Sequence, residues 1–336
     1  MSAINQAVYE RLMNEKKNII KLDTAPATLK RDLFSRLSRI GKILTAWYRL
    51  FFSQGQGNLL YLSLSGGWGQ VYDLISLFIA RLKKMRCIIH HHNFSYLQNR
   101  RALTAFLFRV AGENTYHVVL CSEMANVLCK QYGHDLKTLT LSNLSFLANQ
   151  ATEFSPSHAL LKIGFISNIT RAKGGETMIQ LARKIRETEL PLKVIMAGPC
   201  PEDDLQKQLQ EAMSESLLEW RGAVYGEDKA KFWQEIDVLV FPSYENEAEP
   251  LVVWEALMAS CPVITFRRGC IASQVGDAAF LIDPEKDFVK ATIDILVTWL
   301  HDQSQYLAMA HRAHSRYLAM VEQACSQWQS LSQIIS

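Results

Sequence analysis

Residues 241–255 read FPSYENEAEPLVVWE, and the stretch has a strand, a loop and a helix in it. The apolar run 237–241, DVLVF, reads as a buried parallel strand, and Pro242-Ser243 closes it before an acidic loop with Glu245, Glu247 and Glu249. Pro250 then opens a helix, since proline at the first helical position forfeits an N–H that would have no intrahelical partner. The helix continues LVVWEALM to Met258 and is apolar on nearly every face except at Glu255. A lone carboxylate buried in such a helix is costly.

Two readings of Glu255 stand side by side. In one it pairs with a lysine or arginine, or draws on the positive N-terminal end of its own helix. In the other it contacts a ligand. It lies five residues past Pro250, about 7 Å along the axis, and helical side chains lean back toward the N-terminus. A strand, a loop and a helix N-terminus form the usual anion and nucleotide site of α/β proteins, outside the carboxyl ends of the strands.

Glu247 and Glu255 are separated by seven residues after a strand ending in Pro-Ser, and CPVITF at 261–266 is a further short strand. This resembles the glutamate-seven-glutamate motif of retaining GT-B glycosyltransferases, the large family 4 group. The resemblance implies that Glu247 sits near the donor sugar and that Glu255 hydrogen-bonds the ribose of the nucleotide. It covers roughly residues 57–300, most closely 161–285.

The full chain of 336 residues is long enough for two domains with their own cores. With 49% apolar and 21% charged residues it has a globular composition. Its seven scattered cysteines read as reduced core residues of a cytosolic protein. No zinc-type cysteine pair, secretory leader or uninterrupted apolar run of spanning length is visible. Residues 1–150 carry 19 basic and 8 acidic side chains, and the remainder 17 and 25. Opposite charge in the two halves supports two domains. The basic half suits an anionic partner: an anionic membrane surface, a pyrophosphate-bearing lipid or nucleic acid. Nucleic acid fits least, because the basic residues are spread over several helices without interleaved exposed aromatics. Plain solvated helix faces are the alternative.

In chain order, 3–16 is an amphipathic helix with Ile4, Val8 and Leu12 on one stripe, followed by a short strand over 18–23. The family's first strand and glycine-rich loop are not visible before this helix. The N-terminal domain is therefore expected to lack its first strand, through a late start, a truncation or a different build. Residues 30–52 form a basic helix ending in Trp47, Tyr48, Phe51 and Phe52. It either packs on the sheet or lies in a membrane interface. A strand over 58–65 runs into the turn Gly66-Gly67-Trp68-Gly69 and a helix over 71–84, and glycines in such a turn let backbone approach a phosphate. The strand 87–93 ends in His90, His91 and His92; alternation puts His90 and His92 on one face. They are either bonded to backbone or functional. The family often carries a histidine here facing the donor sugar, which implies His92 or else His90, and it puts Gly66, Gly67 and His90 in a loop beside acceptor and donor. Helices over 99–112 and 123–132 and strands over 117–122 and 139–143 complete a parallel α/β domain.

In the second half, the strand 161–167 leads to the loop NITRAKG at 168–174 and a helix over 175–187. The loop's cations stand at a helix N-terminus, where a diphosphate is held, or form a solvated pair. The loop resembles the family's arginine, four residues, lysine-glycine pattern: Lys173 and Gly174 match, Asn168 stands at the arginine position, and Arg171 is the nearest substitute. The strand 192–198 ends in Gly198, matching the strand before the family's base-binding region. Ala248 and Pro250 replace glycines that commonly follow the first glutamate.

The expected fold is α/β, two Rossmann-like domains facing a central cleft, the GT-B architecture. The domains are 1–147 (acceptor side), a linker 148–160, 161–302 (nucleotide-sugar side) and a C-terminal helix 303–336 returning to the first domain. The resemblance implies a retaining, hexosyltransferase-type enzyme that passes a sugar from a nucleotide-diphosphate-sugar to a glycan or lipid-linked acceptor, in cell-surface polysaccharide or glycoconjugate biosynthesis. It implies no cofactor and no metal. Glu247, His92 and Lys173 would be catalytic; Glu255, Lys173, Arg171, Asn168, Gly198, Glu249 and Leu251 would hold the donor. The location expected is cytoplasmic, with peripheral contact to an anionic membrane at its inner face and no nucleic acid bound. The other reading is a non-catalytic GT-B scaffold or binding subunit of a glycan-assembly complex.

Overall fold

Short runs of β-branched and apolar residues alternate with amphipathic helices along the chain, and such alternation folds into parallel sheets flanked by helices. The computed structural model describes residues 2–15, 18–22, 24, 33–53, 55, 57–147 and 160–335, with backbone alone at 2–3 and 33–39. The expected linker at 148–160 therefore lies, but for residue 160, outside the described residues. Two compact units are present: Met1–Leu147 with Ser326–Ser336, and Ala148–Cys325.

In the first unit, α1 (Ser2–Asn14) and α2 (Leu33–Phe52) precede β1 (Leu59–Leu64), α3 (Gly69–Leu82), β2 (Arg86–His91), α4 (Ala102–Ala111), β3 (Tyr116–Val119), α5 (Ser122–Tyr132), β4 (Lys137–Thr140) and a 3-10 turn, Asn143–Phe146. Ile4, Val8 and Leu12 of α1 are buried, as their spacing predicts. The strand expected over 18–23 is not formed at 18–22. An alternating pattern makes a strand only where a neighbour offers hydrogen bonds, and no strand pairs with this segment among the described residues. The sheet is parallel, in the order β1-β2-β3-β4. Leu64, Leu77, Ile88, Ile89, Leu107 and Val118 are fully buried in this unit.

The second unit contains β5 (Lys162–Ile166), α6 (Gly175–Glu187), β6 (Lys193–Ala197), α7 (Asp203–Ser214), β7 (Glu219–Trp220), α8 (Gly226–Glu235), β8 (Val238–Phe241), α9 (Leu251–Met258), β9 (Val263–Phe266), α10 (Ile271–Val275), β10 (Ala279–Ile282), α11 (Phe288–His301) and α12 (Gln303–Ile335). Its six strands are parallel in the order β10-β9-β8-β5-β6-β7. Counted within the unit this is 6-5-4-1-2-3, the doubly wound arrangement, with the order reversing between β5 and β8. All four residues of β8 and of β9 are buried, as a sheet covered on both faces requires. Helix α12 runs over nearly all of the expected 303–336, and the division between units falls inside it, after Cys325. Its first part is fastened to the second unit: Tyr306 donates to the Asp237 carbonyl at 3.2 Å and Arg316 to the Gln274 carbonyl at 3.1 Å. Among the described residues no helix is long and apolar enough to cross a membrane.

Candidate functional site

Where strand order reverses, the loops after the two central strands diverge and leave a crevice at their carboxyl ends. In the second unit these are the loop after β5, ending at Gly174, and the loop after β8, ending at Pro250. The two are joined: the Tyr244 amide donates to the Ala172 carbonyl at 2.9 Å, and the Thr177 and Tyr244 hydroxyls are 3.0 Å apart. Gly174 caps α6 with φ +86°, and a Cβ there would lie 2.4 Å from the Pro242 carbonyl oxygen. Only glycine allows this approach. Gly198, at the end of β6, has φ +124° and would set a Cβ 1.7 Å from the Ser167 carbonyl oxygen, so its bare backbone serves the close meeting of two strand ends.

The joined loops bring together residues far apart in sequence. Lys173 Nζ lies 2.6 Å from Glu247 Oε1 and 2.6 Å from Glu245 Oε2, and Ser243 Oγ donates to Glu247 Oε1 at 2.6 Å. Glu247 is buried and Glu245 exposed. Burial, the largest single influence on Lys173, disfavours its charge, but the charges and hydrogen bonds of Glu247 and Glu245 together outweigh it and raise its pKa. Lys173 is thus a firmly charged cation whose partners are carboxylates. Glu249 is buried and adopts φ +61°, a left-handed conformation in a residue that has a Cβ. Such a conformation costs on the order of 1–3 kcal/mol and clusters at ligand sites.

Helix α9 starts one residue later than the sequence suggests. Pro250 has ψ 129° and is the residue before the helix, with its carbonyl accepting from Val253 N at 3.2 Å and Gln274 Nε2 at 3.0 Å. The first helical amides are therefore those of Leu251 and Val252, which have no partner within the helix. The proline's missing donor consequently falls outside the first turn. One turn further in, Glu255 Oε1 accepts from Lys229 Nζ at 2.6 Å, while Oε2 is buried with no hydrogen-bond partner. Both readings of Glu255 thus have a place, one on each oxygen. Lys229, on α8, was not singled out by motif; the signal for it is that a carboxylate in an apolar helix demands a cation.

The remaining donor-side residues lie outside these pairs. Arg171 forms its own group, Nη1 3.2 Å from Glu202 Oε2 and Nε 3.5 Å from Glu176 Oε2. Asn168 is exposed and Leu251 half-buried.

In the first unit, Gly66 and Gly67 form the turn after β1. A Cβ on Gly66 would lie 2.8 Å from Asn93 Nδ2, and Gly67 has φ +56° facing open space. His90 and His92 share a face, their ring centroids 3.9 Å apart, with Tyr61 OH on His90 Nδ1; both Nε2 atoms are buried without a partner. His91 faces the other way: its Nδ1 meets Tyr96 OH at 2.9 Å and its Nε2 meets His117 Nδ1 at 3.1 Å. Burial, reinforced by the neighbouring histidines, pushes His90 and His91 well below the usual imidazole range, and burial takes His92 and His117 down to about 4. All four rings are neutral at pH 7. A cavity of about 1130 Å³ opens beside β1, with Tyr9, Lys21, Tyr61, Ser65, Tyr72 and Asp73 among its walls. Among the described residues no group of three or more His, Cys, Asp or Glu side chains could hold a metal ion. Cys87, Cys129, Cys200, Cys261 and Cys325 are free thiols.

Residues 153–316 match the family model described as glycosyl transferases group 1. A D-inositol 3-phosphate glycosyltransferase of Corynebacterium urealyticum is 29% identical over 161 residues, 45% of this chain; the match spans 37% of that relative's length. Among solved structures, sucrose-phosphate synthase from Thermosynechococcus elongatus has a TM-score of 0.68 at 16% identity, over 94% of this chain and 82% of that one. The Anabaena protein HepE, in complex with UDP and glucose, has a TM-score of 0.66 at 16% identity, over 91% of this chain and 84% of that one. This chain is an α/β protein of the GT-B fold whose residues 153–316, just under half of its length, are similar to glycosyl transferases group 1.

Proposed function

We propose that this protein is a retaining glycosyltransferase, moving a sugar from a nucleotide-diphosphate-sugar to a glycan or lipid-linked acceptor in the making of a cell-surface polysaccharide or glycoconjugate. The observation that carries the reading is the unpartnered, buried Oε2 of Glu255 one turn inside the mouth of α9, the helix that follows the loop whose Glu247 pairs with Lys173. A ribose hydroxyl would satisfy that oxygen. When the bond from the sugar's anomeric carbon to the diphosphate breaks, negative charge grows on the departing phosphate. Lys173 and the Leu251 and Val252 amides are a cation and aligned dipoles suited to it. Lys173 would then exchange carboxylates for phosphate, freeing Glu247 to orient the sugar. On the acceptor side the reading uses His92, Gly66, Gly67 and His90, and the cavity beside β1. It needs no metal or other cofactor, and places the protein in the cytoplasm, in peripheral contact with an anionic membrane.

Thermal unfolding with UDP, GDP, ADP and TDP tests this. UDP is tried first because similar structures hold UDP or UDP-glucose. A nucleotide at a hundred times its dissociation constant adds about 2.7 kcal/mol, roughly 5–10 °C. Glu255→Ala is expected to abolish the shift, and a labelled donor to be turned over. The second reading, a non-catalytic scaffold, is favoured by Asn168 at the expected arginine position and by Arg171 being held by Glu202 and Glu176. No shift with any nucleotide, together with no turnover, would establish it over the first.

A further inference from the structure

Along α2 the buried residues Ile43, Ala46 and Leu50 make an inward stripe. Ile40, Leu44, Tyr48, Phe51 and Phe52 make a second one, and all are exposed, Tyr48 to 65% and Phe52 to 68%. Lys42 and Arg49, seven residues apart, lie on a third sector of the helix. Helix α3 repeats the scheme: Leu77 and Ala80 are buried, Ile75, Phe78 and Leu82 exposed, with Arg81 exposed beside them and Lys84 just past the helix end. The helices adjoin. Trp47 Nε1 donates to Ser76 Oγ at 3.1 Å, and Lys83 Nζ donates to the Phe51 carbonyl at 2.6 Å, 5.9 Å from the Phe51 ring centroid. Eight large apolar side chains are therefore left to solvent on two neighbouring helices, where a contiguous patch marks an interaction surface.

Charge identifies what covers it. Residues 40–52, 69–84 and the neighbouring 102–111 contain a single carboxylate, Asp73, which is buried and accepts from Ser65 N at 2.8 Å. Against it stand Lys42, Arg49, Arg81, Lys83, Lys84 and Arg109. A second copy of the same face would oppose cation to cation. A bilayer with anionic headgroups satisfies both features, because aromatic side chains settle at headgroup depth while lysine and arginine meet the phosphates. We infer that the α2–α3 face docks on an anionic phospholipid bilayer. This names the surface of the proposed membrane contact and rests on no step of sugar transfer, so either can fail alone.

The test is flotation of the full chain with vesicles of phosphatidylcholine alone and with roughly one-third phosphatidylglycerol. The expected result is binding to the anionic vesicles that weakens about tenfold with Tyr48→Ser/Phe52→Ser, and that also falls with Arg49→Glu/Lys84→Glu and with added salt. Tyr225→Ser, 75% exposed on the second unit, leaves it unchanged. Thermal unfolding checks that the variants fold, and the charge-reversal pair decides if the serine pair does not. No binding by the unaltered protein overturns the inference, as does binding unaffected by both pairs. So does a lipid-independent dimer that the same substitutions break.

Discussion

At Glu255 one oxygen is held by Lys229 and the other is buried and unpaired. Removing one member of a buried ion pair costs about 3–5 kcal/mol because the survivor is left uncompensated. Lys229 keeps 32% of its side chain exposed, so water shares the charge and the expected loss for Lys229→Met is about 1–2 kcal/mol. Adding Glu255→Gln should recover most of it. A double-mutant cycle read by urea unfolding checks this, and purely additive losses would show that the pair is not coupled. Glu247 differs, because Ser243 and Lys173 both hold the same oxygen, Oε1. Its geometry is set before any ligand arrives.

At the scale of an element, β2 is the unusual strand. It carries His90 and His91, with His92 just beyond its end and His117 of β3 beside it, all held neutral by burial. An unfolded histidine takes up a proton near pH 6.5, whereas the folded His92 and His117 wait until about 4. Folding therefore excludes protons, and the stability these rings permit is complete above pH 6.5 and is lost as pH falls from there toward 4. Denaturant midpoints of the first unit's transition are expected to drop steadily between pH 7 and 5. A midpoint flat over that interval would mean that the rings titrate normally.

For the molecule as a whole, the two units have separate cores, and every proposed nucleotide contact on the donor side belongs to the second. Calorimetry is expected to resolve two transitions, with a bound nucleotide moving the one that belongs to residues 148–325. A nucleotide that raised only the other transition would place the donor contacts wrongly.

Much of the fold was legible because its signals are local. Apolar runs alternating with amphipathic helices specify parallel sheets whatever their partners, and the spacing of Glu247 and Glu255 after a Pro-Ser strand end is contained in fifteen residues. Lys173 was singled out by the resemblance of its loop to a lysine-glycine pattern, the residues alone leaving it open as a solvated cation. What depended on pairing was not. The 18–23 run alternates like a strand, but β structure exists only in company, and 18–22 forms none. The reversal of strand order between β5 and β8, the meeting of Lys173 with Glu247 across 74 residues, and the choice of Lys229 as partner to Glu255 are long-range. So are the strained φ of Glu249 and the exposure of the α2–α3 stripe. The sequence by itself determined the alternation of helix and strand from residue 58 onward and offered candidate side chains for the chemistry, because periodicity and turn residues act over a few positions. The tertiary structure alone decided which charges neutralise one another, which oxygen remains free and which apolar face stays bare, because burial and ion pairing are properties of neighbours in space.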